Sequence, residues 1–227
     1  MKRFTPHFFT ALFSIVFLTS CLDDEPGLGN GERFRGSGVI ITETRELPDF
    51  NAITSSPAID LTITQGAIQA MEVSSDDNLI DRVITRVNMN GQLIIDLEEG
   101  SYENLTLRVN IVIPELISVE NLGAGRISIE GFNDQETLTL RNTGAASFDL
   151  SGSANELIIE LLGAGNIAAF DFAANTVRIT LTGSGNIEVS AAELIAGNIL
   201  GAGNIHYRGE PTIDVNITGA GAVVNAN

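Results

Sequence analysis

The phrase Gly163-Ala164-Gly165-Asn166-Ile167 constrains this chain more than any other stretch, because the C-terminal half rewrites it five more times. It returns as Gly123-Ala124-Gly125-Arg126-Ile127, Gly144-Ala145-Ala146-Ser147-Phe148, Gly183-Ser184-Gly185-Asn186-Ile187, Gly201-Ala202-Gly203-Asn204-Ile205 and Gly219-Ala220-Gly221-Ala222-Val223. The leading glycines stand 21, 19, 20, 18 and 18 residues apart. A repeat of that period predicts stacked β units, each burying its apolar face only against its neighbours.

Aligning the copies on the first glycine exposes a second periodicity. Six, four and two places earlier stand Ile117, Val119, Asn121; Leu138, Leu140, Asn142; Leu157, Ile159, Leu161; Val177, Ile179, Leu181; Ile195, Gly197, Ile199; and Ile213, Val215, Ile217. Four places later stand Ile127, Phe148, Ile167, Ile187, Ile205 and Val223. Alternation on both sides of the glycine implies two strands per coil with apolar sides inward. The glycines share that inward parity without a side chain, which suits a tight corner where backbone approaches backbone or takes positive φ. Segments such as Phe132-Asn133-Asp134 and Arg208-Gly209-Glu210-Pro211 serve as the second corner. Six coils about 4.8 Å apart would form a rod roughly 25–30 Å long. The fold class expected is all-β, a parallel β-helix or β-solenoid, with a β-sandwich as the alternative.

Residues 33–115 read as a less regular β region that continues or caps the repeat block at 116–227. Within Ile53–Leu61, Ser55 stands where a glycine would be, with Ile59 and Leu61 at the apolar places after it. Asp76 to Val87 is the one stretch with helical character, with Asp76, Asp77 or Asn78 as cap. Asn90-Gly91 signals a hairpin. Leu105, Leu107, Val109, Ile111 and Ile113 alternate as a half-buried strand before Pro114.

Residues 1–20 read as a secretory signal peptide: Lys2 and Arg3 precede an apolar run, Phe8 to Leu18, too short to span a membrane. Leu18-Thr19-Ser20-Cys21 resembles the lipobox of bacterial lipoproteins, which makes Cys21 the expected lipidation site and membrane anchor; an ordinary thiol beside a cleavage site is the alternative. Residues 21–32 then form a tether. Its acidic Asp23-Asp24-Glu25 resembles an export tag to the outer face of the outer membrane, or serves as a solvated linker. Once the leader is removed, ten arginines face 29 acidic residues, a net charge of about −19. Such a surface repels phosphate backbones, so no nucleic-acid partner is expected.

The chain also resembles the putative auto-transporter adhesin, head GIN domain family of bacterial envelope proteins, over about residues 45–225. The resemblance lies in Phe50-Asn51-Ala52-Ile53 leading to Ile59–Gly66, then Asp77-Asn78-Leu79, Asn90-Gly91-Gln92-Leu93 and Ile113-Pro114-Glu115-Leu116 before the first Gly-Ala-Gly. It implies a right-handed β-helical protein, secreted or lipid-anchored. It supplies no catalytic residue.

The candidate chemistry is sparse. Asn166, Asn186 and Asn204 share one repeat position and can form an amide ladder along the stack, or else a row that reads a ligand. The glycine phrase is no phosphate loop, for it lacks a following lysine and a strand-to-helix transition. Asp76-Asp77 and Glu98-Glu99 read as solvated acidic turns, with calcium as the alternative. His206 is the sole histidine after the leader, which excludes His/Cys zinc clusters, and Cys21 is the sole cysteine. With no tryptophan and only Tyr102 and Tyr207 as tyrosines, an aromatic sugar platform is hard to assemble. The expectation is a non-enzymatic outer-membrane lipoprotein, without cofactor or metal, acting on an unidentified protein or glycan partner. Self-association through the solenoid ends is a further expectation. A periplasmic-face scaffold is the alternative, and a polysaccharide-acting enzyme a third reading, which would need two carboxylates within about 10 Å in a groove.

Overall fold

The structure, a computed structural model, describes residues 32–227; the signal peptide, Cys21 and the acidic run lie outside the described residues. The chain is a β-solenoid of about five turns. Its long strands, Ala124–Asn142, Ala145–Leu161, Ile167–Leu181 and Ile187–Ile199, pair in parallel with their successors, and Ile205–Arg208, Thr212–Ile217 and Val223–Asn225 complete the stack. Period two in the sequence becomes columns in space. Ile127, Phe148, Ile167, Ile187, Ile205 and Val223 lie over one another, and Val119, Leu140, Ile159 and Ile179 form a second column. The first five of one and all four of the other are buried, each side chain contributing about 1.5–3 kcal/mol by leaving water.

The glycine corner sets how closely the coils approach. A Cβ at Gly183 would overlap the carbonyl oxygen of Gly163, and one at Gly201 would overlap that of Gly183. At Gly125, φ is +111°, and an added Cβ would also overlap the Ile59 carbonyl oxygen. The second corner takes up the variation in repeat length through register shifts, such as those between Ile129, Phe132 and Gln135.

Residues 52–65 belong to the same stack. Ala52–Ser55 pairs with Ser118–Asn121, and Ile59–Gln65 pairs with the start of Ala124–Asn142. On their other side lie Gln92–Leu97 and Leu107–Ile113, again parallel. The coil made later in the chain is therefore the outer one. The chain reaches it through Ala70–Asp76 and Val83–Val87, which pair antiparallel with Leu107–Ile113 and Gln92–Leu97 and close that end of the stack. Ile40–Thr44 adds to Ala70–Asp76, also antiparallel.

Three expectations are corrected. Ser55 pairs with Asn121, two places before the glycine, and the Pro57 carbonyl lies beneath Gly123; Leu61 rather than Ile59 then occupies the column of Ile127. Parity survives because the error is two residues. Ile117 is 44% exposed while Leu116 is buried, because the regular strand begins only at Ser118. Finally, the expected helix is one 3₁₀ turn, Ile80–Arg82, followed by the strand Val83–Val87. Four of that strand's five residues are β-branched and find a partner strand across Asn90-Gly91.

The residues expected to cap that helix clamp the N-terminal segment instead. Asn78 Oδ1 accepts from the Ser37 N–H at 3.0 Å, and its Nδ2 donates to the Arg35 carbonyl at 2.9 Å. Asp76, fully buried, accepts from the Gly38 N–H at 2.7 Å and the Thr106 N–H at 2.8 Å. The Thr106 N–H leads in holding this carboxyl below its usual 3.8, with Gly38 adding to it, against the opposing effect of burial.

Two outcomes are expected. Gly183→Ala should lower stability by about 1–3 kcal/mol through overpacking, whereas the exposed neighbour Thr182→Ala should stay within about 0.5 kcal/mol; urea midpoints compare them. Asp76→Asn should cost about 1–3 kcal/mol at pH 7, since an amide meets one N–H with another donor. The carboxylate's contribution is complete above its unfolded value and is lost as pH falls through the lower folded value, so the gap between wild type and variant should narrow only below pH 3.8.

Candidate functional site

With the interior filled by columns, the outward positions form rows one coil apart. On one face Glu120, Arg141 and Glu160 are neighbours, Arg141 bonding Glu120 at 2.6 Å and Glu160 at 3.0 Å. The Glu120 hydrogen bond, then that of Glu160, raises the guanidinium's pKa. On the other face Arg108 and Asp60 approach at 3.9 Å, and Arg126 and Asp149 at 3.6 Å. Exposed pairs of this kind order the surface more than they stabilise it.

The repeat asparagines stand at the corner. Asn166 Oδ1 accepts from the Asn186 N–H at 2.9 Å, Asn186 Oδ1 from the Asn204 N–H at 3.3 Å, and Asn204 Oδ1 from the Ala222 N–H at 3.0 Å. Each amide oxygen thus serves a backbone donor of the next coil. A second pair lies inside: Asn121 and Asn142 are fully buried, with Asn121 Nδ2 donating to Asn142 Oδ1 at 2.9 Å and Asn142 Nδ2 to the Ala146 carbonyl at 2.9 Å. Ser55 Oγ and Asn121 Oδ1, in adjacent coils of that column, are buried without a partner.

Two hollows collect functional groups. The first, about 380 Å³, opens on the face carrying Asp149 and Glu188 and also gathers Glu130 and Asp171. Phe170 lies in it, partly exposed, with the Arg208 guanidinium 4.0 Å above its ring. This is a single outward ring, with Arg208 over its face, and it does not by itself make the aromatic sugar platform that the composition makes hard to assemble. Parity would have found the ring, since Ile167 and Ala169 point inward; Phe132, Phe148 and Phe172 are all core. His206 is the register neighbour of Glu188 at the rim. Its imidazole has no hydrogen-bonded serine or carboxylate among the described residues.

The second hollow, about 530 Å³, lies where the connections near Asn51, Gln69, Asn90 and Pro114 converge. Three of the segments that carry the family resemblance, Phe50-Asn51, Asn90-Gly91 and Pro114-Glu115, line it together. The acidic turns, read as solvated with calcium as the alternative, are otherwise engaged: Asp76 is not solvated but fully buried on backbone donors, and Glu98 pairs with Arg82 at 2.8 Å. No group of three or more His, Cys, Asp or Glu among the described residues is placed to hold a metal ion.

Because the Arg208–Phe170 contact is exposed, Arg208→Ala should lower stability by no more than about 1 kcal/mol in urea unfolding.

Comparison with known proteins agrees with this architecture. A crystal structure described as a putative adhesin from Bacteroides fragilis NCTC 9343 superposes with a TM-score of 0.70 at 23% identity, covering 85% of this chain and 100% of that one. One described as a putative lipid binding protein from Parabacteroides distasonis ATCC 8503 has a TM-score of 0.52 at 21% identity, covering 86% and 100%. At such identities the likeness is one of fold. Among proteins of curated function none matches. The family described as putative auto-transporter adhesin, head GIN domain, matches residues 49–211, and the chain belongs to that family.

Proposed function

We propose that this protein is a non-enzymatic adhesion or interaction module of the cell envelope, lipid-anchored through Cys21 in the outer membrane and displayed outward. The observation that carries the reading is the division of labour in the solenoid. Its interior is filled by stacked apolar columns, and its outward faces present repeated rows of polar and charged side chains over open hollows. A rigid face of that kind suits contact with an extended surface partner. The lipobox-like Leu18–Cys21, the tether after it and the family's adhesin description support the same reading.

Surface proteolysis of intact cells tests the display. The protein should be shaved before the envelope is broken, and Cys21→Ser should move it out of the membrane fraction. Protection until lysis would favour a scaffold on the periplasmic face instead.

One observation favours a second reading. Asp149, Asp171, Glu130 and Glu188 gather around Phe170, a set from which glycoside hydrolysis needs only two correctly spaced carboxylates. Incubation with envelope and host polysaccharides should release no new reducing ends. Release that disappears in Glu188→Gln would overturn the non-enzymatic reading.

A further inference from the structure

We propose that the hollow at the converging connections binds a neutral sugar residue of a glycan, held by Asp49, Asn51, Asn90 and Glu115. This names a ligand class for the adhesion module and rests on that reading for its biological setting.

The hollow is built from loops whose backbones are pinned. Gln69 accepts from the Phe50 N–H at 3.2 Å and donates to the carbonyls of Leu47 and Pro48 at 3.1 and 3.0 Å. Gln65 donates to the Pro114 carbonyl at 3.2 Å. Asn88 Oδ1 accepts from the N–H groups of Asn90 and Gln92 at 2.9 and 3.1 Å, which fixes the hairpin. The Asn51 N–H donates to the Gly91 carbonyl at 3.3 Å, and the Asn51 carbonyl accepts from the Ile117 N–H at 2.7 Å, tying three connections together. Phe50, 5% exposed, closes the floor. Preorganised positions of this kind keep the entropic cost of binding low.

The side chains these loops present are free. Among the described residues, Asp49, Asn51, Asn90 and Glu115 have no side-chain hydrogen bond or salt bridge, while the amides behind them are all engaged. Their chemistry narrows the guest. No lysine, arginine or histidine lines the hollow, so a phosphate or carboxylate ligand meets only like charge. The carboxylates do not form the three-membered group a divalent cation needs. Phe50 is covered and the other apolar side chains in the lining, Ala67 and Pro114, are small, so the hollow offers no long apolar track for an acyl chain. Two amides that donate and accept, beside two carboxylates that accept, match adjacent hydroxyls, each of which also donates and accepts. A volume of about 530 Å³ falls in the usual range for small-molecule sites. A bare ammonium would engage the carboxylates but leave the amide donors idle.

Amide chemical-shift mapping on the full-length protein tests this with methyl glycosides of glucose, galactose, mannose and N-acetylglucosamine. A hexalysine peptide is the competing probe. At least one glycoside should shift the Asn51, Asn90, Gly91 and Glu115 resonances. Asn51→Ala and Glu115→Ala should each weaken that binding about tenfold, and Phe170→Ala in the other hollow should not. Neither side chain has a partner to lose, so a dispersed spectrum verifies that each variant is folded. Silence from all four glycosides up to their solubility, response only to hexalysine, or shifts confined to the Phe170 hollow would each overturn the site. Because the assay uses purified protein, its failure is separate from any failure of surface display.

Discussion

The structure depends on backbone stacking directly on backbone at the glycine corner. Parallel coils repeat at the strand spacing of about 4.8 Å, and at the corner that spacing leaves no room for a Cβ. The carbonyl of one leading glycine occupies the space a side chain would take on the next, from Gly144 over Gly123 to Gly219 over Gly201. Once this corner is set, the flanking strands fall into register; the apolar residues four places on become a continuous column, and those four places back a column that breaks at Gly197. The asparagine row follows from the same geometry. Where the chain turns, the strand ladder is interrupted, and Asn166, Asn186 and Asn204 supply the missing acceptors to the coil above.

A filled interior leaves chemistry to the outward rows and the connections. On the rows, opposite charges alternate between coils in places, as in Glu120–Arg141–Glu160, but with 29 acids to ten arginines most carboxylates among the described residues have no cation beside them. In the hollow around Phe170, four carboxylates face two cations among the described residues, Arg208 over the ring and Arg126 beside Asp149. The larger hollow differs again. Its side chains are idle, while glutamine and asparagine residues behind them hold the backbone. The architecture joins a repetitive body to a non-repetitive region at one end, where the connections converge.

That region owes its shape to the order in which the chain builds the stack. The coil containing Gln92–Leu97 and Leu107–Ile113 lies outside the coil made before it, so the chain must cross back past the first coil to begin the repeats at Ser118. The crossing carries Pro114 and Glu115 beside Asn51 and Asn90. Asp76 performs the corresponding task for the segment at Gly38, and the lowered pKa of its buried carboxyl reflects the two backbone donors it serves.

What the sequence determined by itself is the repeat. The six glycine phrases, the inward parity of Leu157, Ile159 and Leu161, and the inward Ile127 column are local properties of period two, legible because each coil buries its residues against copies of itself. What only the tertiary structure decided are the places where partners lie far apart in the chain. Ser55 looked like the glycine surrogate, yet Pro57 turns the corner. Asp76 to Val87 has the composition to begin a helix, yet strand pairing with Gln92–Leu97 takes its β-branched residues. Asn121 and Asn142 share the apolar parity and form a buried polar pair. The converging connections lie outside any repeat, and their meeting place depends on which coil lies outermost, a long-range register that no local pattern encodes.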